Sequence, residues 1–156
     1  RWERNYEGNG AYINPADFHP VSLSTLSTHD SETIRGWWQN YPEERQAYYK
    51  ALGIDGNPPN QLEGPLEEKI IKRIYSSASI FTVIGMWDIL GLNPGTLHDD
   101  PAQNRVNVPG TVGPNNWTLR YRFYVEDMLG KNFAEFNEKI KTFIAETGRV
   151  VGTGSV

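Results

Sequence analysis

Two short apolar runs limit what this chain can fold into. Val21, Leu23 and Thr25 alternate with Ser22, Ser24 and Leu26, and Ser79 to Trp87 ("SIFTVIGMW") is apolar and rich in β-branched residues. Both read as strands, the first stopping near Thr28 and the second, a buried one, ending at Asp88. Each run meets a short acidic tip and then helical pattern. That order implies parallel strands joined through crossover helices, an α/β fold with about two strands and a majority of helix. In such sheets the chemistry collects at the carboxyl ends of the strands, where His29, Asp30 and Asp88 lie.

The helices have their own signals. One is expected over about Ser31 to Gln39, capped by Asp30 or Ser31 and favoured by Glu32 at its positive end. "PEERQAYYKALG" has Pro42 in its first turn and Gly53 just past its end. Pro65 starts a third helix with Leu66, Ile70, Ile71 and Ile74 on one side. The last begins with Asn132 and Glu135 spaced as a capping box, carries Phe133, Phe136, Ile140, Phe143 and Ile144 on one face, and stops at Gly148. Residues 1–20 read as loop after a possible strand end at Arg1 to Arg4. Gly91 to Asn116 is a long turn-rich stretch, and a loop of that length in a compact domain is more often functional than idle.

Composition removes whole classes of function. At 156 residues the chain suffices for one compact domain. Its net charge is −4, with acidic and basic residues mixed, so nucleic acid has no electrostatic footprint to recognise. The sequence contains no cysteine, which excludes disulfides, thiolate nucleophiles and cysteine-bound zinc and fits a reducing compartment. No run approaches the ~18 apolar residues of a membrane span, so a soluble, cytoplasmic protein is expected. The opening Arg1-Trp2-Glu3-Arg4, without a methionine, reads as cut from something longer.

Few motifs carry chemistry on their own. His98-Asp99-Asp100 are adjacent and lack the spacing of a zinc or calcium site, so no metal and no cofactor is expected. The P-loop ending and the G-x-S-x-G elbow are both missing. For His29-Asp30 two readings stand: Asp30 caps a helix, or the pair stabilises developing positive charge at the strand mouth. Trp37 and Trp38 are core residues, or one of them lines a sugar-binding surface. Arg105, Asn107 and the backbone of "RVNVPGTVGPNNW" form an ordered loop, or offer hydrogen bonds to a polyhydroxylated ligand.

"RWE" at Arg1 to Glu3, "STHDSETIRGWW" at Ser27 to Trp38, "MWDILGL" at Met86 to Leu92 and "RVNVPGTVGPNNWTLR" at Arg105 to Arg120 together resemble the carboxyl-terminal part of the amylomaltases, or 4-alpha-glucanotransferases. The resemblance implies that residues 1–156 form one segment, the last strands and helices of a (β/α)8 TIM barrel, seen as an incomplete barrel. Val21 to Ser27 then match the seventh strand and Ile80 to Gly85 the eighth. The implied reaction transfers α-1,4-glucan segments between maltooligosaccharides by retaining double displacement. Asp30 matches the third carboxylate, which stabilises the transition state, and His29 its partner on the same sugar. Asn107 matches a sugar contact, with Arg105 and Trp117 shaping the loop; Trp37 is a further candidate for substrate binding, and Asp88, which also matches, either binds substrate or serves the structure. Trp87 stands where many relatives carry glutamine.

The family's nucleophile and acid/base belong to strands that would precede Arg1, so the segment is expected to be inactive alone and to have the remainder of the barrel as its partner. Exposed strand edges would favour self-association. The rival expectation is a non-catalytic glucan-binding module in which Trp37, Trp38 and Trp117 stack on sugars.

Overall fold

The computed structural model describes residues 2–149. Strand β1 (Leu23–Ser24) pairs in parallel with β2 (Phe81–Thr82), Leu23 facing Phe81 and Ser24 facing Thr82. Between them run α1 (Ile34–Asn40), α2 (Pro42–Ala51) and α3 (Gly64–Tyr75); α4 (Met86–Ile89) and α5 (Ala134–Glu146) follow. The parallel crossover expected from the sequence is therefore present.

The strands are shorter than their patterns. Val21 to Ser27 yields a ladder at Leu23 and Ser24 alone, because the chain then turns inward to bury Leu26 and Ser27. The second run leaves the sheet after Thr82, and Met86–Ile89 winds into a helical turn, so Asp88 is helical and not at a strand end. Nor is this run buried: Ile80, Phe81 and Val83 are all exposed, because a β-branched parallel strand is enclosed only when both of its faces are covered. On the inward side, the Ser24 hydroxyl bonds those of Ser77 and Thr82. Arg149, beyond α5, donates to the carbonyls of Tyr75, Ser77 and Ser79 and ties the end of α5 to the approach to β2.

Helices α2 and α3 follow their sequence signals. Pro42 begins α2, Glu43 and Glu44 occupy its first turn, Lys50 its last, and Gly53 takes φ +71° just beyond. Ile70, Ile71 and Ile74 of α3 are buried together with Leu26, Ile34, Trp38 and Leu90. Each fully buried Leu or Ile contributes about 2 kcal/mol. Helix α5 buries Phe136 and Phe143 against this core.

The expected capping box of α5 does not form: a 3-10 turn at Lys131–Phe133 leads into the helix, which has no side-chain cap. The possible strand end near the start is a single antiparallel bridge, Arg4 to Tyr12, and Arg1 lies outside the described residues. Among the described residues no helix is long and apolar enough to cross a membrane.

An ion pair between a half-buried arginine and a buried glutamate fastens α1 to α3. Arg35 Nε and Nη2 donate to Glu67 Oε1 and Oε2 at 2.8 and 2.6 Å, and Nη2 also reaches the Gly91 carbonyl. Glu67 is fully buried, and burial pushes its carboxyl above the usual glutamate range against the opposing pull of Arg35. A Cβ at Gly91 would lie 2.0 Å from Glu67 Oε1, so a side chain there would displace the carboxyl group from its place. Desolvation offsets much of the attraction, so the pair fixes the position of α1 more than it adds stability. Removing one partner alone is expensive. Glu67→Ala is expected to destabilise the chain by about 3 kcal/mol, read as a lower urea midpoint in tryptophan fluorescence; an unchanged midpoint would refute this role.

Candidate active site

The site stands on a buried polar network. Ser27, at the end of the β1 segment, donates through its hydroxyl to Asp88 Oδ2 and accepts from Trp87 Nε1 at 2.6 Å. Asp88 Oδ1 accepts the backbone N–H of Ile34, the first residue of α1, at 2.7 Å. That N–H is one of the donors a helix start leaves unpaired, and a carboxylate there also faces the positive end of the helix dipole. Asp88 is 1% exposed. Both of its oxygens are engaged in holding the segment after β1, α1 and α4 together, as the structural alternative for Asp88 expects. Trp87, in the place of the expected glutamine, keeps a hydrogen bond through its indole N–H.

On this base the chain makes a tight turn from Thr28 to Ser31. The Ser31 N–H donates to the Thr28 carbonyl at 3.1 Å, and the Thr28 N–H donates to the Ser31 hydroxyl at 2.9 Å. His29 and Asp30 are the central pair, and the side chains of both are about half exposed. Neither Asp30 nor Ser31 caps α1. Thr33 does, accepting from the Gly36 N–H at 3.1 Å, because the turn already uses Ser31 and points Asp30 outward. The capping alternative for Asp30 thus drops out on geometry.

The long loop comes back to meet this turn. Asn107 Nδ2 donates to Asp30 Oδ1 at 2.7 Å, while His29 Nε2 lies 3.4 Å from Asp30 Oδ2. Arg105 Nη1 lies 3.6 Å from Glu32 Oε1. Asn116 staples the loop, accepting the Val108 N–H and donating to the carbonyl and hydroxyl of Thr111. The Trp117 indole packs near His29 with centroids 5.1 Å apart. The result is an exposed carboxylate flanked by an imidazole, an amide donor and an aromatic ring, which can stabilise positive charge and hydrogen-bond hydroxyl groups.

Of the residues singled out in the sequence, Asp30, His29 and Asn107 come together. Trp37 sits beneath them at 3% exposure, at the edge of a cleft of about 350 Å³ shared with Asp30, Glu32 and Arg105. Its Nε1 donates to Glu44 and its ring packs edge-on against Tyr48. Trp38 is wholly buried, with Nε1 on the Pro59 carbonyl. Both are buried, as the core alternative for the two tryptophans expects. His98 is remote in role, its Nδ1 lying 3.1 Å from Arg122 Nη2. Sequence reasoning missed Ser27 and Thr33, whose small hydroxyls carry no periodic signal.

A family model described as 4-alpha-glucanotransferase matches residues 1–126. The chain belongs to the 4-alpha-glucanotransferase family. It is similar to the 4-alpha-glucanotransferase of Chlamydia trachomatis, 38% identical over 128 residues, which cover 82% of this chain and 24% of that protein. The 4-alpha-glucanotransferase of Chlamydia pneumoniae is also 38% identical, over 91% of this chain and 27% of its own length. Among solved structures, an amylomaltase from Streptococcus agalactiae in complex with acarbose superposes with a TM-score of 0.55 at 28% identity, over 83% of this chain and 23% of the other. The chain spans about a quarter of the length of these relatives.

The structural role of Asp88 has a measurable consequence. Asp88→Ala leaves the Ile34 N–H and the Ser27 hydroxyl without their acceptor and is expected to lower stability by about 3 kcal/mol, since hydrogen bonds to a charged group are worth about 1.5 to 3 kcal/mol each. Urea unfolding of the variant checks this; a loss of ligand affinity at unchanged stability would restore a direct binding role.

Proposed function

We propose that this chain forms one wall of the active site of a 4-alpha-glucanotransferase that moves α-1,4-glucan segments between maltooligosaccharides. The observation that carries the reading is the Asp30 carboxylate, with Asn107 on one oxygen and His29 beside the other, in a chain of this family. In a retaining double displacement, positive charge builds on the sugar ring as the glycosidic bond breaks. A fixed carboxylate beside that ring stabilises the transition state more than the ground state. Asp30 takes that part, His29 hydrogen-bonds the same sugar, and Asn107 both orients Asp30 and offers its amide to a hydroxyl. The nucleophile and the acid/base come from strands outside this chain, so the chain alone does not turn over.

The same reading places β1 and β2 as neighbours in a (β/α)8 barrel. Leu23, Ile80, Phe81 and Val83 leave an apolar surface on the two-stranded sheet, and its outer edges carry unpaired backbone groups. The rest of the barrel is the natural cover. The chain purified alone is expected to self-associate through these strands, and a sharp monomer in light scattering at rising concentration would contradict that.

The central test uses the intact enzyme containing this segment. Maltotriose disproportionation, followed by chromatography of glucose and longer oligosaccharides, is expected to give a product ladder. Asp30→Asn is expected to abolish it at unchanged folding, with a loss of about 3 to 4 kcal/mol in transition-state stabilisation and a smaller effect on KM. A wild-type protein that makes no ladder would overturn the reading.

A further inference from the structure

We propose that Trp117 is a positioning residue that sets the place of the His29 imidazole, so that one loop controls both partners of Asp30; this rests on the reading of His29 and Asp30 as sugar-facing groups. Trp117 has φ +62° and is the non-glycine residue with a positive φ among those described. A bulky side chain rarely adopts this backbone, and such strain persists only where the surroundings over-determine it. Two constraints do so here. The Trp117 N–H donates to the Val106 carbonyl at 2.7 Å, and the preceding Asn116 bridges Val108 and Thr111.

Burial does not account for this arrangement, since Trp117 remains 62% exposed. What the left-handed turn achieves is to carry the indole back to the strand mouth, where its ring lies 5.1 Å from that of His29 with the planes at 42°. The His29 side chain is half exposed and has the Asp30 carboxylate at 3.4 Å as a further neighbour. A half-exposed imidazole on a turn has rotamers to choose from, and an aromatic wall narrows that choice. The same loop delivers Asn107 to the other oxygen of Asp30, and the Glu32 and Arg105 pair anchors its start. Trp117 thus acts on the chemistry through His29.

The test compares Trp117→Asn, Trp117→Phe and wild type in the intact enzyme. Asparagine tolerates the left-handed backbone and so keeps the turn while deleting the ring; phenylalanine keeps a ring. With maltotriose, Trp117→Asn is expected to lower kcat about tenfold or more with KM within about twofold, as misplacement of a group at the reacting sugar does. Trp117→Phe is expected to recover most of that loss. In the same proteins the nuclear Overhauser contacts of the His29 ring protons with the Thr28–Ser31 turn are expected to change in Trp117→Asn, because the imidazole leaves its place beside Asp30; loss of the indole's ring current alone would leave those contacts as they are.

Unchanged kcat with unchanged His29 contacts would overturn the proposal. A rise in KM at constant kcat would also overturn it, because the indole would then touch sugar directly. Should Trp117→Asn fail to fold, Trp117→Leu against Trp117→Phe makes the same comparison. A wild type without disproportionation would sink the glucanotransferase reading, while the nuclear Overhauser contacts of His29 would still decide whether Trp117 holds the imidazole.

Discussion

The buried carboxylate of Asp88 is the interaction on which the arrangement of this chain depends. It accepts from the first N–H of α1 and from the hydroxyl of Ser27, while Trp87 next to it donates to the same hydroxyl. Three elements distant in sequence are thereby fixed at one point. The turn that presents His29 and Asp30 spans the gap between Ser27 and Ile34, both of which Asp88 holds. A carboxyl group in so dry a place is tolerated only when its oxygens are hydrogen-bonded, and that requirement leaves the surrounding backbone little freedom.

Above this anchor the structure separates holding from acting. Asp88, Glu67 and Thr33 are buried and spend their polar atoms on the protein. His29 and Asp30 stand about half in the open with the half-buried Asn107 beside them, and the three are held by contacts to one another and to the loop. The exposed group is kept in place by neighbours that themselves sit on turns pinned by Ser31 and Asn116. Preorganisation of this kind is what electrostatic stabilisation of a transition state requires.

Much of the architecture was legible because it rests on local signals. Pro42 with Gly53 bounded α2, and the isoleucines at 70, 71 and 74 marked the buried face of α3. The parallel pairing followed from the order of strand, tip and helices. What stayed hidden is non-local. The start of α1 is set by Asp88, far along the chain, so Asp30 and Ser31 looked like caps when Thr33 fills that place. The run from Ser79 to Trp87 looked like a buried strand because period cannot report whether a sheet has neighbours on both sides. The meeting of Asn107 with Asp30 was legible only through resemblance to a family, since no spacing predicts that a loop will return to a particular turn. Asp88 sits in a segment that resembles the family, and its sequence position left open whether it binds substrate or serves the scaffold, because burial of a single aspartate has no periodic signal.

The bond between Asp30 and Asn107 joins residues 77 positions apart. Contacts of such long range form only after the intervening chain has been gathered in, since the entropy of closing the loop must be met before the contact returns anything. The helices between β1 and β2 have local contacts and can assemble first, leaving the site to mature last. Conversely, the loop from Arg105 to Trp117 can detach while the core stays intact, because the contacts described between it and the turn are a few exposed or half-buried polar and ring contacts. Function in this segment is therefore less durable than fold: on warming or in mild denaturant, the site should come apart before the helices do.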